Sequence, residues 1–136
     1  MRNDKFLLER LEQIWLLLFN EIPKLNNVVI KFKGKSKNKF GHIKKTGEDT
    51  EIAINSLFKF DMIPEYIIDL TIAHELSHYA HGFNSPLKKK YKHPHKGGIV
   101  TKELKIRGFD KMLKKEKMWF KYEWPKIYEQ IATFKN

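Results

Sequence analysis

The chain has 136 residues, enough for one domain, and 41% of them are hydrophobic and 13% aromatic. This apolar content can form one packed core, which excludes a chain disordered throughout. There are no cysteines, so disulfides, cysteine-ligated zinc ribbons and cysteine nucleophiles are excluded. The net charge of +11 favours an anionic partner, such as nucleic acid, an acidic membrane surface or an acidic protein.

The first predicted element is an amphipathic helix over residues 4–20. Apolar side chains recur there every three or four residues with charged ones between them, and Pro23 marks a stop. No apolar run approaches the roughly 18 residues of a membrane span. The acidic residues near the N-terminus do not fit a signal peptide. We therefore expect a cytoplasmic protein that makes no membrane contact.

Three predicted strands follow, separated by polar turns. Residues 28–32 alternate with the period of a strand, and residues 40–45 and 51–55 form two further short strand patterns. The first turn, 34–39, is rich in lysine, and the second, 46–49, contains the Thr-Gly-Glu-Asp turn signal. Together these segments predict a small, mostly antiparallel three-stranded sheet.

The second half of the chain is predicted to be helical. One helix covers residues 65–81, another starts near residue 98 and ends before 108, and the tail from 110 forms one helix or two, interrupted around Pro125. The fold class is therefore α+β, with the sheet packed against the N-terminal helix and the 65–81 helix. We expect a single domain over residues 1–136, with a core at 1–108 and a helical extension at 109–136.

The strongest motif is His-Glu-Leu-Ser-His at residues 74–78, which matches H-E-x-x-H and lies inside a predicted helix. Four residues turn a helix by about 400°, so His74 and His78 share one face and can bind one zinc ion. Glu75 lies about 100° round from His74, where it reaches the edge of the site without binding the metal.

This arrangement predicts hydrolysis of a peptide or amide bond. Zinc lowers the pKa of its bound water toward 7. Glu75 can take the proton as the water attacks the carbonyl, and can pass it to the leaving amine. We expect one Zn²⁺ per chain and no covalent intermediate.

A third protein ligand is needed, and the candidates are His81, His93, His95 and Glu103. His81 is still on the predicted helix and points partly away from the other two. His93 and His95 follow a loop long enough to fold back, and their alternation favours only one of them as a ligand. We favour His95, because it precedes Gly97-Gly98, where the backbone can approach the helix closely; His93 and Glu103 stay open.

With these motifs the chain resembles the SprT-like metallopeptidases over most of residues 5–108. The likeness includes the opening helix and the segments Ile22-Pro23-Lys24-Leu25, Phe40-Gly41 and Thr71-Ile72-Ala73-His74-Glu75-Leu76-Ser77-His78. The family pattern also includes a later histidine that is followed, four residues on, by an apolar residue. His95 and Ile99 match this pattern, which favours His95 again. The resemblance implies a zincin-like fold, zinc, an intracellular location and proteolysis. Well-known members degrade proteins crosslinked to DNA, and DNA binding promotes their cleavage.

The resemblance also implies where a substrate binds. In zincins the strand beside the active helix commonly pairs with the substrate backbone, and the matching residues here are Ile52, Ala53, Ile54 and Asn55. Main-chain pairing carries little sequence information, so we expect weak selectivity for substrate side chains.

Two lysine clusters predict contact with nucleic-acid phosphates; they comprise Lys35, Lys37, Lys39, Lys88, Lys89 and Lys90. Lysines on a sheet edge also discourage aggregation, which is the alternative explanation for the first cluster. We expect a zinc metalloendopeptidase that acts on protein or peptide substrates, including DNA-associated proteins. The alternatives are a basic nucleic-acid-binding protein with a structural or vestigial zinc site, and a small-amide hydrolase.

Overall fold

The computed structural model of the chain describes residues 1–135 and has an α+β fold, which confirms the predicted class. The described residues form one three-stranded sheet and five α-helices. In chain order the elements are α1 (Asp4–Leu18), β1 (Val28–Phe32), β2 (Gly41–Thr46), β3 (Asp49–Ile54), α2 (Glu65–Ala80), α3 (Ile99–Ile106), α4 (Asp110–Tyr122) and α5 (Trp124–Lys135). No helix in this part of the chain combines the length and apolarity that a membrane crossing requires.

Helix α1 forms where the apolar periodicity predicts it. The Asn3 side chain accepts a hydrogen bond from the Phe6 backbone N–H at 3.0 Å and so caps the helix start. The helix buries Leu7, Leu11 and Ile14 against the core. These residues are spaced at three and four positions, so one stripe of the helix faces the sheet.

The sheet has the order β1-β3-β2, and the prediction that it is mostly antiparallel is wrong for one of its two strand pairs. Strands β2 and β3 pair antiparallel across the turn at 46–49, whereas β1 and β3 pair parallel. The hairpin places β3 between its neighbours, so β1 never meets the strand that follows it in the chain. A local pattern predicts strands but not which of them become neighbours, and this explains the error.

Helix α2 lies in the middle of the molecule and is buried almost all round, as expected for a helix covered on several faces. At its C-terminal end the Tyr79 ring packs edge-on against Trp15 of α1, with ring centroids 5.1 Å apart. Gly82 follows with φ of +83°, and a Cβ atom there would lie 2.5 Å from the Lys88 carbonyl oxygen. Only glycine therefore allows the loop after α2 to fold back against the helix end.

Helices α4 and α5 complete the core. Trp119 and Trp124 are buried, and both rings pack on Phe58, with centroids 6.4 and 5.6 Å away. Helix α4 ends before Glu123, and α5 starts directly after it with Pro125 in its first turn. The tail therefore forms two helices. Residues of the predicted extension thus supply core side chains.

Glu51, near the middle of β3, holds three lysines at the centre of the sheet. Its carboxylate lies 2.9 Å from Lys31 Nζ, 3.5 Å from Lys33 Nζ and 3.4 Å from Lys44 Nζ. The hydrogen bond from Lys31 is the main cause that lowers the pKa of Glu51 to about 2, against the opposing effect of burial. The ionised carboxylate therefore stabilises the fold above pH 4.5, and this contribution is lost as the pH falls toward 2.

We expect Glu51→Gln to lower the free energy of unfolding near pH 7 by about 1 to 2 kcal/mol, because it removes charge-assisted hydrogen bonds. The difference from the wild type should shrink as the pH falls, since the wild-type carboxyl then becomes protonated too. Urea unfolding at a series of pH values measures both effects, with Glu48→Gln on the exposed turn as the matched control. A difference that persists undiminished near pH 2 would contradict this account.

Candidate metal centre

His74 and His78 lie one turn apart on α2, and their rings meet edge-on. Their Nε2 atoms are 3.2 Å apart. His78 is 4% exposed, and the residues around the pair on α2 are buried. The central position of the helix therefore buries His78 and half-buries His74, and both imidazoles are directed toward one point, as the H-E-x-x-H spacing predicts.

His95 reaches this pair from the loop that follows α2. The loop is held against the helix end by a hydrogen bond from Lys90 N–H to the His81 carbonyl oxygen at 2.9 Å. The His95 ring centroid lies 4.6 Å from that of His78 and 5.8 Å from that of His74. One nitrogen of each of the three rings lies within 4.8 Å of the others, so the three can hold one metal ion.

The donor set suits a divalent transition-metal ion. A tetrahedral zinc with Zn–N bonds of about 2.0–2.1 Å separates its nitrogen ligands by about 3.3 Å, close to the 3.2 Å between the Nε2 atoms. Burial, with the neighbouring imidazoles adding to it, lowers the pKa of His74 to about 4 and of His78 to about 3. Both rings are therefore neutral near pH 7, which is the form that binds a metal.

The other candidate ligands lie elsewhere. His93 is exposed and outside the cluster. His81 is buried, and its Nε2 atom lies 2.8 Å from Glu103 Oε1, while Glu103 also accepts a hydrogen bond from Arg107 at 3.0 Å. His81 and Glu103 therefore link α2 to α3 and do not face the three-histidine site.

Glu75 is 4% exposed and lies against β2. A Cβ atom at Gly41 would lie 3.1 Å from Glu75 Oε2 and 2.9 Å from Thr71 Cγ2. The strand can approach the helix this closely only because position 41 has no side chain. Burial raises the pKa of Glu75 to about 8, despite the smaller opposing effect of the positive charge of Lys39. The Phe40-Gly41 motif was visible in the sequence, but this packing role was not.

The prediction that Ile52, Ala53, Ile54 and Asn55 pair with a substrate is wrong for this fold. Strand β3 is the central strand and pairs on both sides, so it has no free edge. Asn55 is also buried, and its side chain donates hydrogen bonds to the Ser36 and Lys39 carbonyl oxygens at 2.6 and 3.1 Å. The strand with a free edge beside α2 is β2.

The free edge of β2 runs along the three-histidine site. The Phe40 carbonyl oxygen accepts a hydrogen bond from Asn55 N–H, whereas the Ile43 carbonyl oxygen accepts one from the Asn84 side chain at 2.9 Å. Because backbone groups alternate along an antiparallel strand, those of Gly41 and Ile43 point away from β3. This edge is therefore available to an extended chain, except at the one carbonyl that Asn84 covers.

Two cavities meet at the candidate site and share Gly41, His74 and Glu75. One, of about 350 Å³, lies toward α3 and α4. The other, of about 260 Å³, lies toward His95 and Asn84. The cleft therefore continues on both sides of His74 and Glu75, and its shape can accommodate an extended polypeptide.

All six predicted nucleic-acid-binding lysines are exposed: Lys35, Lys37, Lys39, Lys88, Lys89 and Lys90. Lys39 lines the cavity on the His95 side, together with Phe83. Lys89 Nζ lies 5.1 Å from the centroid of that same Phe83 ring. The fold thus brings one member of each basic cluster to the same end of the cleft.

No protein-family model, curated protein or solved structure matches the chain. The function must therefore be inferred from the sequence motifs and from the geometry and chemistry of the site.

We expect His95→Ala to weaken zinc binding by more than about 100-fold, which exceeds the usual cost of losing a residue that only supports a ligand. His93→Ala is the matched control, because His93 lies two residues away and is exposed. Competition against a chromogenic chelator measures the affinity of each variant. Equal affinities of His95→Ala and the wild type would remove His95 from the site.

Proposed function

We propose that the chain is a zinc-dependent metalloendopeptidase of the SprT-like type, with His74, His78 and His95 as metal ligands and Glu75 as general base. The observation that carries this proposal is the cluster of three histidine nitrogens within 4.8 Å, with a buried carboxyl next to it in a two-sided cleft. Three protein ligands leave a coordination position open, which is typical of catalytic rather than structural zinc sites.

When bound, the zinc ion would supply electrophilic activation of a carbonyl and of water. The protein's own contribution is positional. Buried α2 holds His74 and His78 as neutral imidazoles at a separation of 3.2 Å, and the loop held to the helix end brings in His95. The pair of His74 and His78 therefore needs little rearrangement to bind the ion.

Glu75 holds and moves the proton in this mechanism. Its carboxyl lies where the two cavities meet, beside the β2 backbone at Gly41. Without an ion, burial keeps the carboxyl protonated near pH 7, because its pKa is raised to about 8. A divalent charge nearby favours the ionised form, which is the form that can accept a proton.

An extended peptide would lie along the free edge of β2, pairing with the outward-facing backbone groups of Gly41 and with the Ile43 N–H, since Asn84 already covers the Ile43 carbonyl oxygen. The cleft extends on both sides of His74 and Glu75, so it has room for substrate before and after the cleaved bond. This two-sided shape favours an endopeptidase over a small-amide hydrolase, for which a single closed pocket is expected.

We expect Glu75→Gln to lower the rate of peptide cleavage by about 10² to 10⁴-fold, since the amide cannot accept a proton. Zinc should stay bound, because His74, His78 and His95 are unchanged. Cleavage of an unfolded protein substrate, followed by mass spectrometry, gives the rate, and metal analysis gives the zinc content. Glu48→Gln, at an exposed turn, is the control.

Two outcomes would overturn the proposal. Retained activity in zinc-loaded Glu75→Gln would remove Glu75 from the mechanism. A zinc-loaded wild type that cleaves no unfolded protein, with DNA present or absent, would reject the peptidase function.

Nucleic-acid binding is a second candidate function, and the position of Lys39 and Lys89 at the same end of the cleft favours it. DNA bound there would lie beside the proposed substrate path. This candidate does not exclude the first, because DNA contact and proteolysis would use adjacent surfaces.

We expect the triple substitution of Lys88, Lys89 and Lys90 by Gln to weaken DNA binding and to flatten its salt dependence. Each phosphate contact that is lost lowers the slope of log affinity against log salt by about 0.7 to 0.9. Fluorescence anisotropy at several salt concentrations measures the slope. The control removes equal charge from the exposed α4 residues Lys111, Lys114 and Lys117, and an equal effect there would contradict a local DNA site.

A further inference from the structure

The larger cavity of the cleft contains an acidic side chain that the proposed mechanism does not use. Glu116 of α4 lines this cavity together with His74 and Glu75. The remaining walls are largely apolar and include Leu70, Leu104, Leu113 and Phe120. A half-buried carboxyl thus lies within an apolar pocket that opens directly onto the proposed catalytic residues.

The position of Glu116 on α4 isolates it from the lysines of its own helix. The residues three and four positions away are Met112, Leu113, Trp119 and Phe120, all of which belong to the apolar face. Since only side chains three or four positions apart meet on a helix, the neighbouring lysines point elsewhere. Glu116 therefore occupies a core-facing position where the helix pattern would place an apolar residue.

Among the side chains that the structure describes, no cation pairs with Glu116. None of the ion pairs among the described residues includes it. The Lys115 ammonium next to it in sequence lies over the Tyr66 ring instead, 4.5 Å from the centroid. Burial raises the pKa of Glu116 to about 7 with no cation opposing it. A cation that enters the pocket would stabilise the ionised form of this carboxyl.

We propose that this pocket is a subsite for a lysine or arginine side chain of the peptide substrate, with Glu116 pairing with the ammonium or guanidinium group. The apolar walls match the methylene stem of such a side chain, and the carboxyl matches its charged end. The cavity volume of about 350 Å³ lies in the range of small-ligand pockets. This subsite rests on the proposed function, and it adds one side-chain preference to main-chain pairing along β2.

The first test measures binding without metal or catalysis. The metal-free full chain is titrated with N-acetyl-lysine amide and with N-acetyl-norleucine amide, which has the same stem but no ammonium, and binding is followed by NMR. We expect the lysine derivative to bind about tenfold more tightly, as for one charge-assisted hydrogen bond. Glu116→Gln should abolish the difference, and Glu123→Gln, at the exposed residue that follows α4, should keep it.

This experiment decides the subsite independently of proteolysis. Equal or undetectable binding of the two compounds by the wild type would overturn it, as would a preference that survives in Glu116→Gln. Glu116→Leu separates a structural role from recognition. Leucine should keep or raise stability if the pocket walls accept it, and it should still lose the preference for lysine.

The second test reads the preference during cleavage. Digestion of a mixture of unfolded proteins by the zinc-loaded chain should enrich lysine and arginine at one fixed position relative to the cut bond, and Glu116→Gln should remove that enrichment. Cleavage without any basic preference would overturn the subsite while leaving the peptidase intact. Absence of all cleavage would overturn the peptidase, and the binding test would still decide whether Glu116 recognises a cation.

Discussion

The structure depends on the burial of one helix. Helix α2 is covered by the sheet on one side and by α1, α3 and α4 on others, so its polar side chains have little access to water. Two imidazoles and a carboxyl are costly to bury unless they have partners. The same burial keeps the imidazoles neutral and close together, and it keeps the Glu75 carboxyl out of bulk water. A divalent ion is the partner that would use all three groups.

The buried and half-buried acids of this basic protein fall into three groups. Glu51 is surrounded by three lysines and stays ionised. Glu103 is held between His81 and Arg107, where it links α2 to α3. Glu75 and Glu116 form no ion pair among the described residues, and both line the same cavity. The first two acids are thus paired inside the fold, whereas Glu75 and Glu116 lie at the cleft.

The cleft also depends on one missing side chain. Glycine at position 41 lets β2 approach α2, and this contact places a free strand edge beside Glu75. Because the hairpin order makes β2 and not β3 the outer strand on this side, the edge next to the histidines is polar and lysine-rich. The unpaired backbone edge of β2 and the histidine cluster are therefore brought together by sheet topology.

Local sequence patterns were sufficient to predict several features here. Helical spacing in residues 65–81 predicted that His74 and His78 share a face, because that spacing is a property of a single helix. The apolar periodicity likewise predicted α1, and Pro125 predicted the interruption of the C-terminal helix. Tertiary structure decided what depends on residues far apart in the chain: that His95 and not Glu103 joins the pair, that β1 lies parallel to β3, and that Glu116 enters the cleft. These contacts depend on how the loops fold back and which strand is inserted between its neighbours, and no periodic pattern encodes either.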